Sequence, residues 1–311
     1  MNFWQNLPKP FFVLAPMEDV TDFVFREVMA NNAKPDVLFT EFASADGLMS
    51  DGKNRVIRKL LYSKKQRPIV AQIWSDNPNH LYNSTKLVNE LGFDGVDINM
   101  GCPDKGVIKK GAGSALIKNF ALAKQIIEEV KRGAGGTAVS VKTRLGFDKV
   151  ITNEWISFLL EQKIDAISIH GRIATKMSKL PADWDEIKKS VTFRDKICPD
   201  TLIIGNGDVK SYAQGLQYAK DYKVDGIMIG RGIFANPWFF ENPQQTHNKD
   251  DYIQMLLEHT KLFVKTWDQK NFNIMKKFFK MYIRDFDGAD LLRQKLMQCT
   301  SYEEVEKILI K

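Results

Sequence analysis

Cysteine and histidine are scarce in this chain: three cysteines (Cys102, Cys198, Cys299) and four histidines in 311 residues. The cysteines are odd in number and far apart, and no Cys-X-X-Cys spacing occurs. That argues against a disulfide framework, a zinc site or an iron–sulfur cluster, and no metal is expected. Long apolar runs are missing as well. The stretch FFVLA at 11–15 is too short for a signal-peptide core or a membrane span. The expectation is a chain without a targeting segment, with no membrane partner, working in a reducing cytoplasm.

Positive charge is in modest excess, with 45 Lys and Arg against 38 Asp and Glu, a net of +7. This balance favours acidic partners, nucleic acid first, although a lysine-rich genome would leave the same mark. At 311 residues, 44% of them hydrophobic, the chain exceeds the roughly 250 residues of one (β/α)8 barrel. One barrel with a small appendage is the expected organisation.

Eight short apolar runs, at 11–15, 37–40, 69–72, 95–99, 138–142, 166–170, 202–205 and 226–230, alternate with amphipathic stretches. They are too apolar to face water on one side, as parallel strands buried on both faces should be. The intervening stretches at 79–91, 119–132, 152–161 and 211–222 read as helices, with Asn119, Thr152 and Ser211 as candidate N-caps. Eight alternations predict a closed (β/α)8 TIM barrel over 1–242, an open doubly wound sheet being the alternative. The polar stretch at 241–250 reads as a linker. From 251 onward the pattern is helical only, so a small all-α domain is predicted over 243–311.

Polar residues collect where the apolar runs stop. Gln72, Asn99, Lys142, His170 and Asn206 each close or follow a strand, the end at which barrels build active sites. After the fourth strand the chain turns through Gly101, Cys102 and Pro103, which keeps the thiol out of a helix. Lys105, Lys109 and Lys110 follow closely, so a thiolate or a proton-donating thiol is expected at Cys102. GNGDV at 205–209 and GRG at 230–232 place glycines after the last two strands, the usual phosphate site of this fold, with Arg231 to supply charge. Lys142 would point into the mouth toward an anionic ring or phosphate; alternatively it pairs with a carboxylate such as Asp97.

Taken together, APMEDVTD at 15–22, AQIW at 71–74, DINMGCP at 97–103, GAGSALI at 111–117, VKTRLG at 141–146, IHGR at 169–172, GNGDV and GRG resemble the tRNA-dihydrouridine synthases. The match in order and spacing runs from about residue 14 to 238 and continues more loosely into the tail. The resemblance implies an FMN-containing barrel, a helical tRNA-binding domain, and reduction of the C5–C6 double bond of tRNA uridines with NADPH or NADH. It implies that Pro16, Met17 and Glu18 lie along the flavin, and that Gln72 and Lys142 bond its polar edge. His170, Asn206, Gly207, Asp208, Gly230 and Arg231 would surround its tail and phosphate. Asn99 and Arg144 would hold the uracil, and Cys102 would be the general acid. A monomer is expected.

Two further features bear on function. Many members of the family carry a tyrosine in the loop after IHGR, whereas this chain has IATKMSKLPADW at 173–184. Its substrate pocket or loop geometry should therefore differ. In the tail, Lys276, Lys277, Lys280 and Arg284 recur at helical spacing and would form a phosphate-binding stripe, with Phe278, Phe279 and Tyr282 turned to the core. Residues 248–311 hold 12 Lys and Arg against 10 Asp and Glu, so the charge is local. The alternatives are an FMN barrel acting on a free pyrimidine, in the manner of dihydroorotate enzymes, and an inactive RNA-binding barrel.

Overall fold

A computed structural model describes residues 2–310. Eight strands form the barrel: β1 (Phe11–Leu14), β2 (Val37–Phe39), β3 (Ile69–Trp74), β4 (Gly95–Met100), β5 (Ala138–Gly146), β6 (Ala166–Ile173), β7 (Leu202–Asn206) and β8 (Gly226–Ile229). All neighbours pair in parallel, and β1 pairs with both β2 and β8, so the sheet closes on itself. A two-residue strand, Ala43–Ser44, adds to the outer end of β3. The eight expected strands are therefore all present, in a closed rather than an open sheet.

Side chains alternate along each strand, so residues two apart share a face. Phe11, Val13, Val37, Phe39, Val70, Ala138, Ala166, Leu202, Ile204 and Met228 fill one apolar core cluster together with Trp4, which is fully buried in the 3-10 turn Phe3–Asn6. Continuing each row toward the carboxyl ends brings polar side chains: Gln72 after Val70, Lys142 after Ser140, His170 after Ser168, Asn206 after Ile204. The apolar stopper closes one end, and the same faces turn polar at the other.

The chain divides into two compact units: residues up to Phe23 with Pro35–Gly230, and Val24–Lys34 with Arg231 onward. The division thus falls after 230 rather than at 242/243, and a segment from between β1 and β2 joins the second unit. Its packing explains why. Phe25, in the helix Phe23–Asn32, stacks on Phe278 at 5.5 Å, and Asn31 and Asn32 both donate to Glu258. Buried His259 and Tyr282 share a 2.9 Å hydrogen bond in the same cluster. The stretch at 241–250 is built rather than loose: His247 stacks on Trp238 at 3.8 Å, and Asn248 forms a capping box with Asp251 that starts the helix Lys249–Thr266.

Two local expectations change. The helix Thr152–Glu161 is capped from Ile151, and the Thr152 hydroxyl does not serve as its cap. The lysine stripe does not lie on one α-helix, because Phe272–Phe278 is a 3-10 helix, Phe279–Tyr282 a single α turn, and Arg284 lies beyond both. Asn119 and Ser211 cap their helices as expected. Among the described residues, no helix is long and apolar enough to cross a membrane.

Candidate active site

The carboxyl ends of β3, β4 and β5 enclose a cleft of about 150 Å³ lined by Pro16, Phe42, Gln72, Asn99, Cys102, Lys142 and Arg144. That is below the ~300–1,000 Å³ of a typical ligand pocket, so a ligand larger than one ring must extend along the open mouth. Parity places these groups together. Gln72 pairs in register with Asp97, Asn99 with Lys142, and Lys142 with Ser168, all on the inward rows.

Lys142 is the outstanding charge of this cleft. Among the described residues its ammonium has no hydrogen bond and no ion pair. Burial pushes its pKa down to about 8, helped by Arg144 and opposed by Asp97. The expected alternative, an ion pair with Asp97, is not formed. Asp97 instead accepts from Gln72 Nε2 and Ser140 Oγ, both at 2.7 Å. Opposite Lys142, the buried Ser168 hydroxyl has no partner among the described residues. An unpartnered cation and an unpartnered hydroxyl in one layer are two costs that a hydrogen-bonding anionic ligand would offset.

Cys102 is held by its turn. Its N–H donates to Asn99 Oδ1 at 2.9 Å, and its carbonyl accepts from Ser114 N at 3.0 Å. Burial pushes the thiol pKa up; the Asp104 backbone N–H, Lys142 and Arg144 only partly offset this. A thiol pushed above its ordinary range is neutral, not a thiolate, at neutral pH. Its cationic neighbours are Lys142 and Arg144 rather than Lys105, Lys109 or Lys110. Lys105 and Lys109 belong to the short helix Lys105–Lys109, and Lys110 sits over the Trp74 ring at 5.4 Å.

The ends of β6 and β7 make a second polar cluster. His170 and Asn206 face each other in register, and Asn206 Nδ2 donates to the Met228 carbonyl at 2.8 Å. Buried Arg172 contacts His170 at 3.0 Å, pairs with Asp208, and donates to the Leu180 carbonyl. Gly207 has φ +130°, and an added Cβ would stand 2.6 Å from Ala182. Gly230 differs: an added Cβ would meet only Ala15 and Met17, each at 3.9 Å. Neither backbone angle nor protein packing demands glycine there, which leaves room for a ligand against its backbone.

The dihydrouridine synthase (Dus) family profile matches residues 13–311. The chain belongs to the dihydrouridine synthase family. Among relatives, it is 44% identical to the probable tRNA-dihydrouridine synthase 2 of Bacillus subtilis (strain 168), over 99% of this chain and 95% of that protein. It is 43% identical to the probable tRNA-dihydrouridine synthase of Staphylococcus aureus (strain COL), over 99% and 94%. In fold it is similar to morphinone reductase, solved in complex with tetrahydroNAD, with a TM-score of 0.50 and 11% identity over 73% of this chain and 84% of that one.

Within this dihydrouridine synthase, the cleft gathers Pro16, Gln72, Asn99, Cys102, Lys142 and Arg144 from the expected set. Met17 lies beside Gly230, while Glu18 is exposed and paired with Lys59. Arg231 falls in the second unit. There it lines a cavity of about 900 Å³ with Lys277, Lys280, Arg284 and Arg293, together with Asp285, Asp287 and Asp290. Lys276 is not in that wall. Sequence reasoning missed Ser140, Ser168 and Arg172, and saw Asp97 only as a partner for Lys142. The available signal was a run of polar side chains at alternate positions inside apolar strands.

The loop without the family tyrosine is tied down by two arginines. Arg144 donates to the carbonyls of Gly101 at 2.8 Å, Met177 at 3.1 Å and Ile173 at 3.4 Å. Arg172 and Asp208 hold the far end through Leu180 and Ala182. Burial lowers the Arg144 pKa to about 10, so it stays cationic at neutral pH. Where an aromatic ring would shape the pocket, this enzyme has a backbone loop clasped by guanidinium groups.

Proposed function

We propose that this enzyme reduces the C5–C6 double bond of specific tRNA uridines to 5,6-dihydrouridine, with FMN in the barrel mouth and NADPH or NADH as the external reductant. The observation that carries the reading is Lys142, a cation without a partner in the same small cleft as the neutral Cys102 thiol. Pro16, Met17, Gln72 and Lys142 would hold the ring of the flavin, with Ser168 offering a further hydrogen bond. His170, Arg172, Asn206, Gly207, Asp208 and Gly230 would surround its tail and phosphate. Bound FMN supplies the hydride that the pyrimidine needs at C6.

The chain's own groups do the rest. Cys102 delivers its proton to C5, and the thiolate left behind lies in the field of Lys142 and Arg144, the two cations that oppose its raised pKa. Asn99 and Arg144 orient the uracil, and positive charge beside the ring stabilises the negative charge that develops toward O4. A uridine in a folded RNA must leave its stack to enter such a cleft. The cations Arg231, Lys277, Lys280 and Arg284 of the second unit are suited to RNA phosphates, and Lys276 lies outside that cavity wall. Affinity for tRNA should then fall with salt by about one unit of log slope per phosphate contact. The protein acts in the cytoplasm on this reading, as a monomer and without a metal.

The test is direct. Purified protein with FMN, NADPH and tRNA lacking dihydrouridine should form the modified nucleoside at discrete positions, mapped by mass spectrometry. Reduction of free uridine or uracil at a comparable rate, with none in tRNA, would overturn the proposal in favour of a small-pyrimidine enzyme.

A further inference from the structure

The mechanism above gives no task to Asp97, a buried carboxyl beside the cleft. Asp97 is fully buried inside β4 and touches neither Cys102 nor Lys142 by hydrogen bond. It begins a directional chain. Gln72 Nε2 donates to Asp97 Oδ2 at 2.7 Å; Gln72 Oε1 accepts from Asn99 Nδ2 at 3.0 Å; Asn99 Oδ1 accepts the N–H groups of Gly101 at 3.1 Å and Cys102 at 2.9 Å.

Each side-chain amide has one donor end and one acceptor end, so the chain has a polarity. The two termini fix it. At one end Asp97 Oδ2 accepts; at the other, two backbone N–H groups can only donate. Reversing Asn99 would set its NH₂ against those two N–H groups, and reversing Gln72 would set carbonyl against carboxylate. Ser140 Oγ–H satisfies the other Asp97 oxygen, and Thr40 Oγ1 anchors the Gln72 backbone at 3.1 Å, so neither end is loose. Such a network is rigid when every member is satisfied.

The geometry points to Asp97 as a positioning residue that, through Gln72 and Asn99, holds the Gly101–Cys102 turn and so fixes the half-buried Cys102 thiol in the cleft. This deepens the reading of Cys102 as proton donor and rests on it. Burial raises the Asp97 pKa to about 6, so the carboxylate that the chain requires is present at neutral pH. Loss of the Asp97 acceptor frees Gln72, then Asn99, then the turn. A relaxed turn admits water to the thiol, whose pKa falls toward its ordinary value. Reactivity of the thiol and turnover of the enzyme should therefore move in opposite directions.

The experiment is alkylation of Cys102 by iodoacetamide across pH in the full-length protein without added flavin or RNA, read by peptide mass spectrometry. Asp97→Leu should lower the pH midpoint and make alkylation below it severalfold faster than in the wild type. Dihydrouridine formation should fall in the same variant. Asp97→Asn, which still offers Gln72 an oxygen while Ser140 turns to accept, should shift the midpoint less than Asp97→Leu. A folded Asp97→Leu with the wild-type alkylation profile would overturn the proposal. If that variant does not fold, Gln72→Leu breaks the same chain at its middle, and an unmoved Cys102 profile there is equally decisive. Alkylation needs no substrate, so failure of the tRNA reading leaves this result legible.

Discussion

Two cations of the barrel mouth, Arg172 and Lys142, are held in opposite ways. At the ends of β6 and β7, Arg172 meets His170, Asp208 and a backbone carbonyl, and the protein satisfies its own charge. At the end of β5, among the described residues, Lys142 meets nothing within hydrogen-bonding or ion-pair distance, and Ser168 opposite it on β6 has no partner either. In the first the cation already has partners within the protein; in the second it has none among the described residues. Buried polar groups left unpaired are costly enough that they mark where a ligand completes the structure. On this comparison the ring of the cofactor is expected against Lys142.

Substitutions should separate the two cations. Asp208→Ala leaves Arg172 buried with one partner fewer and should cost about 2 kcal/mol, read as a lower urea midpoint of the ligand-free protein. Lys142→Met should do the reverse. It removes an unpaired buried cation, so the ligand-free protein should gain stability while FMN affinity falls at least about tenfold, one charge-assisted bond's worth. Equal destabilisation by both substitutions would erase the distinction.

The pH dependence sharpens it further. The Lys142 pKa lies at about 8 in the folded protein against an ordinary 10.5. Between those values the unfolded chain binds the extra proton, so stability of the ligand-free protein should rise with pH across that window. Lys142→Met should abolish that rise. FMN affinity should fall as pH climbs through about 8, because the cation facing the ligand is lost. The smallest effect is expected at Gly230→Ala: FMN binding weaker by about threefold, under 1 kcal/mol, with the melting temperature unmoved.

Much of this was legible in the residues alone. The eight strands follow from eight apolar runs too hydrophobic to be half-exposed, and the position of Cys102 follows from a Gly-Cys-Pro turn after the fourth. Lys142 was expected to point into the mouth with Arg144 on the loop beyond, but β5 runs on to Gly146 and carries both on one face. What was not legible depends on contacts between strands. The Cys102 thiol was expected to answer to Lys105, Lys109 and Lys110, neighbours in sequence, but it answers to Lys142 and Arg144 on the next strand. Arg231 follows β8 directly yet groups with the second unit, because Phe25, Phe278 and His259 build a core there from segments far apart in the chain. Lys276 to Arg284 have helical spacing, but Ile283 ends the α turn one residue before Arg284.

The central claim is that a protonated Cys102 completes a reduction prepared by the Lys142 cleft. Dihydrouridine formed in tRNA by Cys102→Ala, measured beside its FMN content, tests it most directly. The account predicts a flavin-loaded variant that still binds tRNA and turns over at least about 100-fold more slowly, the low end of what a positioned acid contributes. Wild-type turnover in that variant would contradict it.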